Sequence, residues 1–322
     1  MSLHIDPAVF RPEAIAPETA AFNAQVEAQL ATMTPSWQRV PQDVRDERES
    51  GKGMFGPVVT VPEAQDRVLS TPTGDVTVRV IAPDRVEGVF LHIHGGGWVL
   101  GRAHHGDVRL LALARRHNLA TVSVDYRLAP EHPYPAGPDD CEGVAQWLVA
   151  NAQREFGTDR IVIGGESAGA HLAAVTLLRM RDRHSYTGFA AANLVYGVYD
   201  LRLTPSAANW GTRELILSTP LMRWFVDHFV PDASQLTEPD ISPLFADLTG
   251  MPPALFTVGT MDPLLDDTLF MASRWAEYGN DSELAVYPGG LHGLNAFPTP
   301  LGKQAAEHMD TWLERTLGAV PA

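Results

Sequence analysis

The chain has 322 residues and carries 24 basic against 39 acidic side chains, which gives a formal net charge of −15. Nucleic acid and anionic membrane surfaces require a basic face, so this charge argues against both as partners. The single cysteine, Cys141, excludes an internal disulfide and every multi-cysteine metal site, and its helical surroundings predict a buried thiol.

The first 50 residues predict helix rather than strand. "PETAAFNAQVEAQLATM" has an amphipathic helical pattern, and the charged, turn-rich segment "PQDVRDERESGKG" follows it. The N-terminus lacks a charged and then apolar leader pattern, and no run of 18 apolar residues occurs. We therefore expect neither a signal peptide nor a membrane span, and a cytoplasmic location.

From about residue 76, β-rich runs alternate with helical runs. The predicted strands are "VTVRVIAP", "EGVFLHIHG", "LATVSVDY", "DRIVIGG", "GFAAANLVYG", "PALFTVG" and "SELAVYPG". The predicted helices are "HGDVRLLALARRH", "AGPDDCEGVAQWLVANAQREF", "SAGAHLAAVTLLRMRDR", "DDTLFMASRWAEYG" and "KQAAEHMDTWLERTLG". This alternation predicts an α/β fold whose mostly parallel sheet is flanked by helices. The leading strands have no helix between them, so we expect them to form an antiparallel edge.

The alternation is interrupted between about residues 201 and 242. Within this insertion, "STPLMRWFVDHFVPD" places five side chains at helical spacing: Leu221, Trp224, Phe225, His228 and Phe229. We interpret residues 1–50 and the insertion as a helical cap on a catalytic domain that spans 51–322. Plain core packing is the alternative explanation for each aromatic side chain.

The motif G-x-S-x-G occurs in "IVIGGESAGAHLA", where Ser167 stands between a predicted strand and a predicted helix. This context is typical of a nucleophile elbow, a strained turn that raises the serine oxygen above the sheet edge. A serine hydroxyl is a poor nucleophile at neutral pH, so it needs a general base, usually a histidine that a carboxylate holds in one tautomer. In such sites the acid and then the histidine follow the serine, each after a later strand.

Asp262 and His292 meet this requirement. Asp262 directly follows "PALFTVG", whereas the later aspartates of "DPLLDD" fall at the start of the next helix, where a helix-dipole or capping role is expected. His292 follows "SELAVYPGG", and His308 falls in the middle of a predicted helix. We therefore predict a catalytic triad of Ser167, His292 and Asp262.

Three consecutive glycines, Gly95, Gly96 and Gly97, follow a predicted strand in "LHIHGGGWVLG". Attack on a carbonyl develops negative charge on its oxygen, which preorganised N–H groups must stabilise. The N–H of Ala168 is one expected donor, and a glycine loop can curl to present others because it has no Cβ. A phosphate or dinucleotide loop is the competing interpretation, but neither G-x-G-x-x-G opening a helix nor G-x-x-x-x-G-K-[ST] is present.

The segment "HHGD" contains ligand-type residues, His104, His105 and Asp107, but no H-E-x-x-H or similar spacing accompanies them. We interpret them as helix-entry residues and predict no metal site.

Together these motifs resemble the α/β-hydrolase esterases related to mammalian hormone-sensitive lipase (bacterial family IV). They are "HGGGW", "DYRLAPEHPYPAGPDD", "GESAGA", "DPLLDD" and "HG", in the expected order over roughly residues 75–318. The resemblance implies an α/β-hydrolase fold with a helical cap, the triad above, and an oxyanion hole built from Gly96, Gly97 and Ala168, with Gly95 shaping the turn. It also implies short- to medium-chain acyl esters as substrates, no cofactor, and a possible homodimer.

Two positions depart from the family pattern. Leu294 stands where an aromatic residue is common, and Glu166 stands where many members have aspartate; we assign no catalysis to Glu166. "DYRLAPE" is expected to support the loop beneath the site. The candidate pocket residues are Trp98, Tyr196, Trp210, Leu215 and Leu294.

Three alternative functions stay open from the sequence. A non-catalytic ligand-binding protein can share this scaffold, although such proteins usually lack a triad member. An amidase or deacetylase would use the same triad. A long-chain lipase should carry a large apolar lid, which the helix around residues 224–229 could supply.

Overall fold

The computed structural model describes residues 5–318, and its centre is a single eight-stranded sheet with the strand order β1-β2-β4-β3-β5-β6-β7-β8. The strands are β1 (Gln65–Thr71), β2 (Gly74–Ile81), β3 (Gly88–Ile93), β4 (Leu119–Val124), β5 (Ile161–Glu166), β6 (Ala191–Val195), β7 (Ala254–Met261) and β8 (Ser282–Leu291). β1 pairs antiparallel with β2, and β2 pairs antiparallel with β4, whereas all other pairs are parallel. The predicted α/β fold with a mostly parallel sheet is confirmed.

The antiparallel edge differs from the one that the sequence predicted. β3 does not belong to it, because β3 lies between β4 and β5 and pairs parallel with both. All six residues of β3 are buried, as suits a strand covered on both faces. β1 takes the edge position instead. It has only one buried residue, Leu69, so its sequence carries no apolar alternation that would have predicted a strand.

Nine α-helices occur within the described range. Five follow strands of the sheet: α3 (Asp107–His117), α4 (Ala136–Phe156), α5 (Ala168–His184), α8 (Leu265–Glu277) and α9 (Pro300–Gly318). The other four are α1 (Pro17–Leu30) and α2 (Pro41–Glu49) before the sheet, and α6 (Pro205–Ala208) and α7 (Thr219–Phe229) between β6 and β7. No helix among residues 5–318 combines the length and apolarity needed to cross a bilayer. Cys141 is fully buried in α4, as predicted, and burial raises the pKa of its thiol.

The two irregular segments contact each other and the sheet. Asn23 of α1 donates a hydrogen bond from Nδ2 to the carbonyl of Gly289, which lies in β8. Arg213 of the insertion forms an ion pair with Glu27 of α1. The segment before β1 and the insertion between β6 and β7 therefore pack against each other.

The carboxyl ends of β3, β5, β7 and β8 meet at one edge of the sheet because these strands run parallel. A register shift between Gly259 and Met261 bends the β7–β8 pair just before β7 ends. A Cβ at Gly259 would lie 1.9 Å from the carbonyl oxygen of Gly290, so only glycine permits this close approach. The bend precedes Asp262 on one strand and His292 on the other.

Candidate active site

Ser167 stands between β5 and α5 with φ 57° and ψ −121°, a strained conformation for a residue other than glycine. Its neighbours explain how the turn fits. A Cβ at Gly165 would lie 2.2 Å from the carbonyl oxygen of Ile93, and a Cβ at Gly169 would lie 1.9 Å from the same atom. The glycines of G-x-S-x-G thus let the turn press against the end of β3, which is the geometry of a nucleophile elbow.

His292 and Asp262 lie in line with Ser167. His292 Nε2 is 3.0 Å from Ser167 Oγ, and His292 Nδ1 is 2.9 Å from Asp262 Oδ2. Asp262 is 1% exposed, and its Oδ1 accepts a hydrogen bond from the N–H of Leu264. The carboxylate is thereby fixed, so it can hold the imidazole with Nδ1 protonated and Nε2 free to accept the serine proton.

The glycine loop lies directly beside Ser167. A Cβ at Gly95 would be 2.8 Å from the carbonyl oxygen of Glu166 and 3.4 Å from Ser167 Cβ. Gly96 has φ 121°, and Gly97 has φ 59°. The N–H groups of Gly96 and Gly97 donate to no backbone or side-chain oxygen of the described residues, so both are available to an incoming oxygen.

His94 and Tyr126 hold the glycine loop in this shape. Burial lowers the pKa of His94 to about 4, so the imidazole is neutral and donates from Nδ1 to the carbonyl of Gly95. The Tyr126 hydroxyl donates to the carbonyl of His94, and the two rings stack at 4.2 Å. Arg127 pairs with Asp140 in α4. These contacts agree with the structural role expected for "DYRLAPE".

Glu166, Arg109 and His92 form a charged cluster next to the nucleophile turn. Glu166 Oε1 is 2.7 Å from Arg109 Nη2, and Glu166 Oε2 is 3.0 Å from His92 Nε2. Burial opposes ionisation, but Arg109 and His92 lower the pKa of Glu166 to about 2. Neither Arg109 nor His92 was predicted as a partner of Glu166, because each is far from Glu166 along the chain; His92 lies just before the glycine motif but is not part of it.

A cavity of about 710 Å³ opens onto Ser167, His292 and the three glycines. Its apolar wall comes from residues 30–55 and from the insertion: Leu30, Met33, Met54, Phe55, Ile216, Leu217, Leu221 and Phe225. This volume lies within the usual range for small-molecule sites.

Of the five candidate pocket residues, only Tyr196 lines this cavity, with its ring 4.7 Å from that of His292. Trp98 is turned into the core, where it stacks on Phe229 at 4.5 Å and donates from Nε1 to His171. Its φ is 61°, in the left-handed region that residues other than glycine rarely adopt.

The other three candidates also lie outside this cavity. Trp210 lies beside Arg213 and donates to its carbonyl, and Leu215 is fully buried with Val26 and Leu291. Leu294 is 3% exposed and borders a separate cavity next to α1. Leu215 and Leu294 are apolar side chains that are buried in the core. Their positions in the sequence did not predict this burial.

Known proteins of similar sequence and structure are esterases of this fold. A family model described as alpha/beta hydrolase fold matches residues 90–296. The carboxylesterase NlhH of Mycobacterium tuberculosis is 35% identical over 263 residues, covering 76% of this chain and 80% of that protein. An acetyl esterase of Salmonella paratyphi B is 29% identical over 231 residues, covering 70% of this chain and 72% of that protein.

A solved structure, the hyperthermophilic esterase from the archaeon Pyrobaculum calidifontis, has a TM-score of 0.84 and 29% identity, and the match covers 95% of this chain and 99% of that one. The family model spans more than half of the chain, and it includes the glycine loop, Ser167, Asp262 and His292. The chain therefore belongs to the α/β-hydrolase-fold family, in the group related to hormone-sensitive lipase.

Proposed function

We propose that this carboxylic ester hydrolase cleaves short- to medium-chain acyl esters through an acyl-enzyme formed on Ser167. The observation that carries the proposal is the linear contact of Ser167 Oγ, His292 and Asp262, with the glycine loop beside it. No metal or cofactor takes part in the proposed steps, since a serine, a general base and N–H donors suffice for acyl transfer.

The first half-reaction forms the acyl-enzyme. Ser167 Oγ attacks the ester carbonyl while His292 Nε2 takes its proton, and Asp262 stabilises the imidazolium. The N–H groups of Gly96, Gly97 and Ala168 receive the developing oxyanion, and Gly95 shapes the turn. His292 then returns the proton to the departing alcohol, whose C–O bond breaks as the carbonyl re-forms.

The second half-reaction releases the acid. Water enters where the alcohol left, and His292 Nε2 removes its proton as it attacks the acyl carbonyl. The tetrahedral intermediate collapses, the proton passes from His292 to Ser167 Oγ, and the carboxylic acid leaves. Asp262 keeps the imidazole in the same tautomer throughout, so one histidine serves both half-reactions.

Phe225 of α7 lines the cavity next to the glycine loop, since a Cβ at Gly97 would lie 2.3 Å from its ring. We infer that residues 1–50 and the insertion at about 201–242 act as a cap that closes the cavity over the ester. The relative named acetyl esterase is consistent with a small acyl group. Rates across p-nitrophenyl esters of increasing chain length test this, and a preference for long chains would favour a lipase.

Ser167→Ala tests the proposed nucleophile. The variant should stay folded and lose p-nitrophenyl acetate and butyrate hydrolysis by about 10⁶-fold in kcat, by analogy with other serine hydrolases. Ser234→Ala, a change at an exposed serine of the insertion, is the matched control and should keep full activity. Turnover close to that of the unmodified enzyme in Ser167→Ala would exclude the assignment.

The same triad would also cleave an amide, so a matched pair of p-nitrophenyl acetate and p-nitroacetanilide separates an esterase from an amidase. A folded protein that hydrolyses neither and resists an organophosphate probe would be a ligand-binding member of the fold. The cytoplasmic location, the possible homodimer and the absence of nucleic-acid partners stay predictions from the sequence.

A further inference from the structure

Three side chains that the proposed reaction does not use converge at the rim of the catalytic cavity. Glu49 is the last residue of α2, and His104 and His105 lie in a short 3-10 helix that leads into α3. His105 Nε2 is 2.7 Å from Glu49 Oε1, and His104 Nε2 is 3.1 Å from Glu49 Oε2. We propose that these three residues form a binding site for a divalent transition-metal ion, best suited to Zn²⁺.

The donor set and its spacing fit that ion. Imidazole nitrogen and carboxylate oxygen are both good zinc ligands, and two histidines with one carboxylate leave a fourth position for water. One ligand atom from each residue lies within 4.8 Å of the other two. Ligands at about 2.0–2.2 Å from a tetrahedral ion are about 3.4 Å apart, so the atoms need to converge by at most about 1.4 Å.

The side chains have room for this movement. The Glu49 side chain is 43% exposed and that of His104 is 30% exposed, so small rotations about their side-chain bonds meet little packing resistance. His105 is more enclosed, at 13% exposed, and therefore provides the fixed corner of the site. An ion can reach the cluster from solvent because two of its three ligands are at the surface.

One nearby group opposes a cation. The positive charge of the Arg48 guanidinium acts on His105 and would also repel a metal ion bound there. Arg48 is already engaged, because it donates to the carbonyl of Gly56 and lies over the ring of Phe55. The positive charge of Arg48 therefore weakens metal binding, but the Arg48 side chain does not occupy the site.

The position of the site gives the ion a structural consequence. Glu49 ends the N-terminal helical segment, whereas His104 and His105 belong to the region between β3 and α3. A bound ion would join these two parts of the chain at the mouth of the cavity. Since it binds only when the three residues are assembled, it should also raise the melting temperature.

Isothermal titration of the full-length protein with ZnCl₂ tests the site, together with Glu49→Gln and His104→Asn. His308→Asn is the matched control, because His308 pairs with a glutamate, Glu283, but has no second histidine beside it. We expect one Zn²⁺ per chain in the unmodified protein and the control, and binding at least about tenfold weaker in both cluster variants. Zn²⁺ should raise the melting temperature only in the two proteins that bind it.

Co²⁺ supplies a spectroscopic readout of the same site. A nitrogen and oxygen ligand set of low coordination number gives visible absorption bands that hexaaqua Co²⁺ lacks, and these bands should disappear in Glu49→Gln. Unchanged Zn²⁺ affinity in both cluster variants would place the ion elsewhere, for example on His292, and would overturn the proposal. Absence of stoichiometric binding in the unmodified protein would overturn it equally, leaving two ordinary histidine–glutamate hydrogen bonds.

Discussion

Replacing Gly96 with alanine should disable catalysis, and the variant should still fold, with reduced stability. The alanine Cβ would lie 2.2 Å from the carbonyl oxygen of Leu100, and the residue has φ 121°, which L side chains rarely adopt. Restoring an ordinary contact of 3.4 Å requires the loop to move by about 1.2 Å, because neither atom belongs to a flexible side chain. A misplacement of about 1 Å can cost about 10²-fold in rate, and loss of one oxyanion donor costs about 10²–10³-fold.

The assay is kcat for p-nitrophenyl acetate, with circular dichroism as the check on folding. Gly279→Ala is the matched control, because Gly279 also has a positive φ of 79° but a Cβ there would meet no atom within 4 Å. That variant should lose about 1–2 kcal/mol of stability and keep its kcat. A folded Gly96→Ala variant whose kcat lies within about threefold of the unmodified enzyme would refute the role of this loop.

Three further changes test other parts of the site. Asp262→Asn should lower kcat by about 10⁴-fold with little change in structure, since the amide would favour the wrong tautomer of His292; a loss below tenfold would contradict this. Gly169→Ala should destabilise the fold strongly in a thermal melt, because its Cβ would lie 1.9 Å from the carbonyl oxygen of Ile93. Glu166→Gln should be less stable than the unmodified enzyme above pH 4.5, and this difference in the free energy of unfolding should shrink as pH falls. The reason is that the pKa of Glu166 is lowered to about 2 from 4.5, so its contribution to stability is complete above pH 4.5 and is progressively lost towards pH 2. Urea unfolding at several pH values measures the difference, and a difference that does not change with pH would contradict this.

The fold and the proposed triad were predictable because their signals are local. Each triad residue follows a strand with a clear apolar pattern, and the order along the chain restricts the choice. The nucleophile elbow and the glycine loop also need backbone conformations and close approaches that favour glycine. The glycines in the sequence therefore indicate both turns. Such features need no knowledge of how distant segments pack.

The pocket was not predictable because it depends on contacts between distant segments. Trp98 follows the glycines directly, yet its backbone turns the ring onto Phe229. The residues that do line the cavity, such as Met54 and Leu221, come from segments that meet only in the folded chain. Glu49 shows the same limit, because it meets the two histidines of "HHGD" only where α2 packs beside them in the folded chain.

The proposed mechanism depends on acylation of Ser167 with the help of His292. Mass spectrometry of the protein after reaction with an organophosphate probe tests this most directly. We expect one adduct per chain, located on the peptide that contains Ser167. This adduct should be absent in Ser167→Ala and form much more slowly in His292→Asn. An adduct on a different residue, or equal labelling in Ser167→Ala, would contradict it.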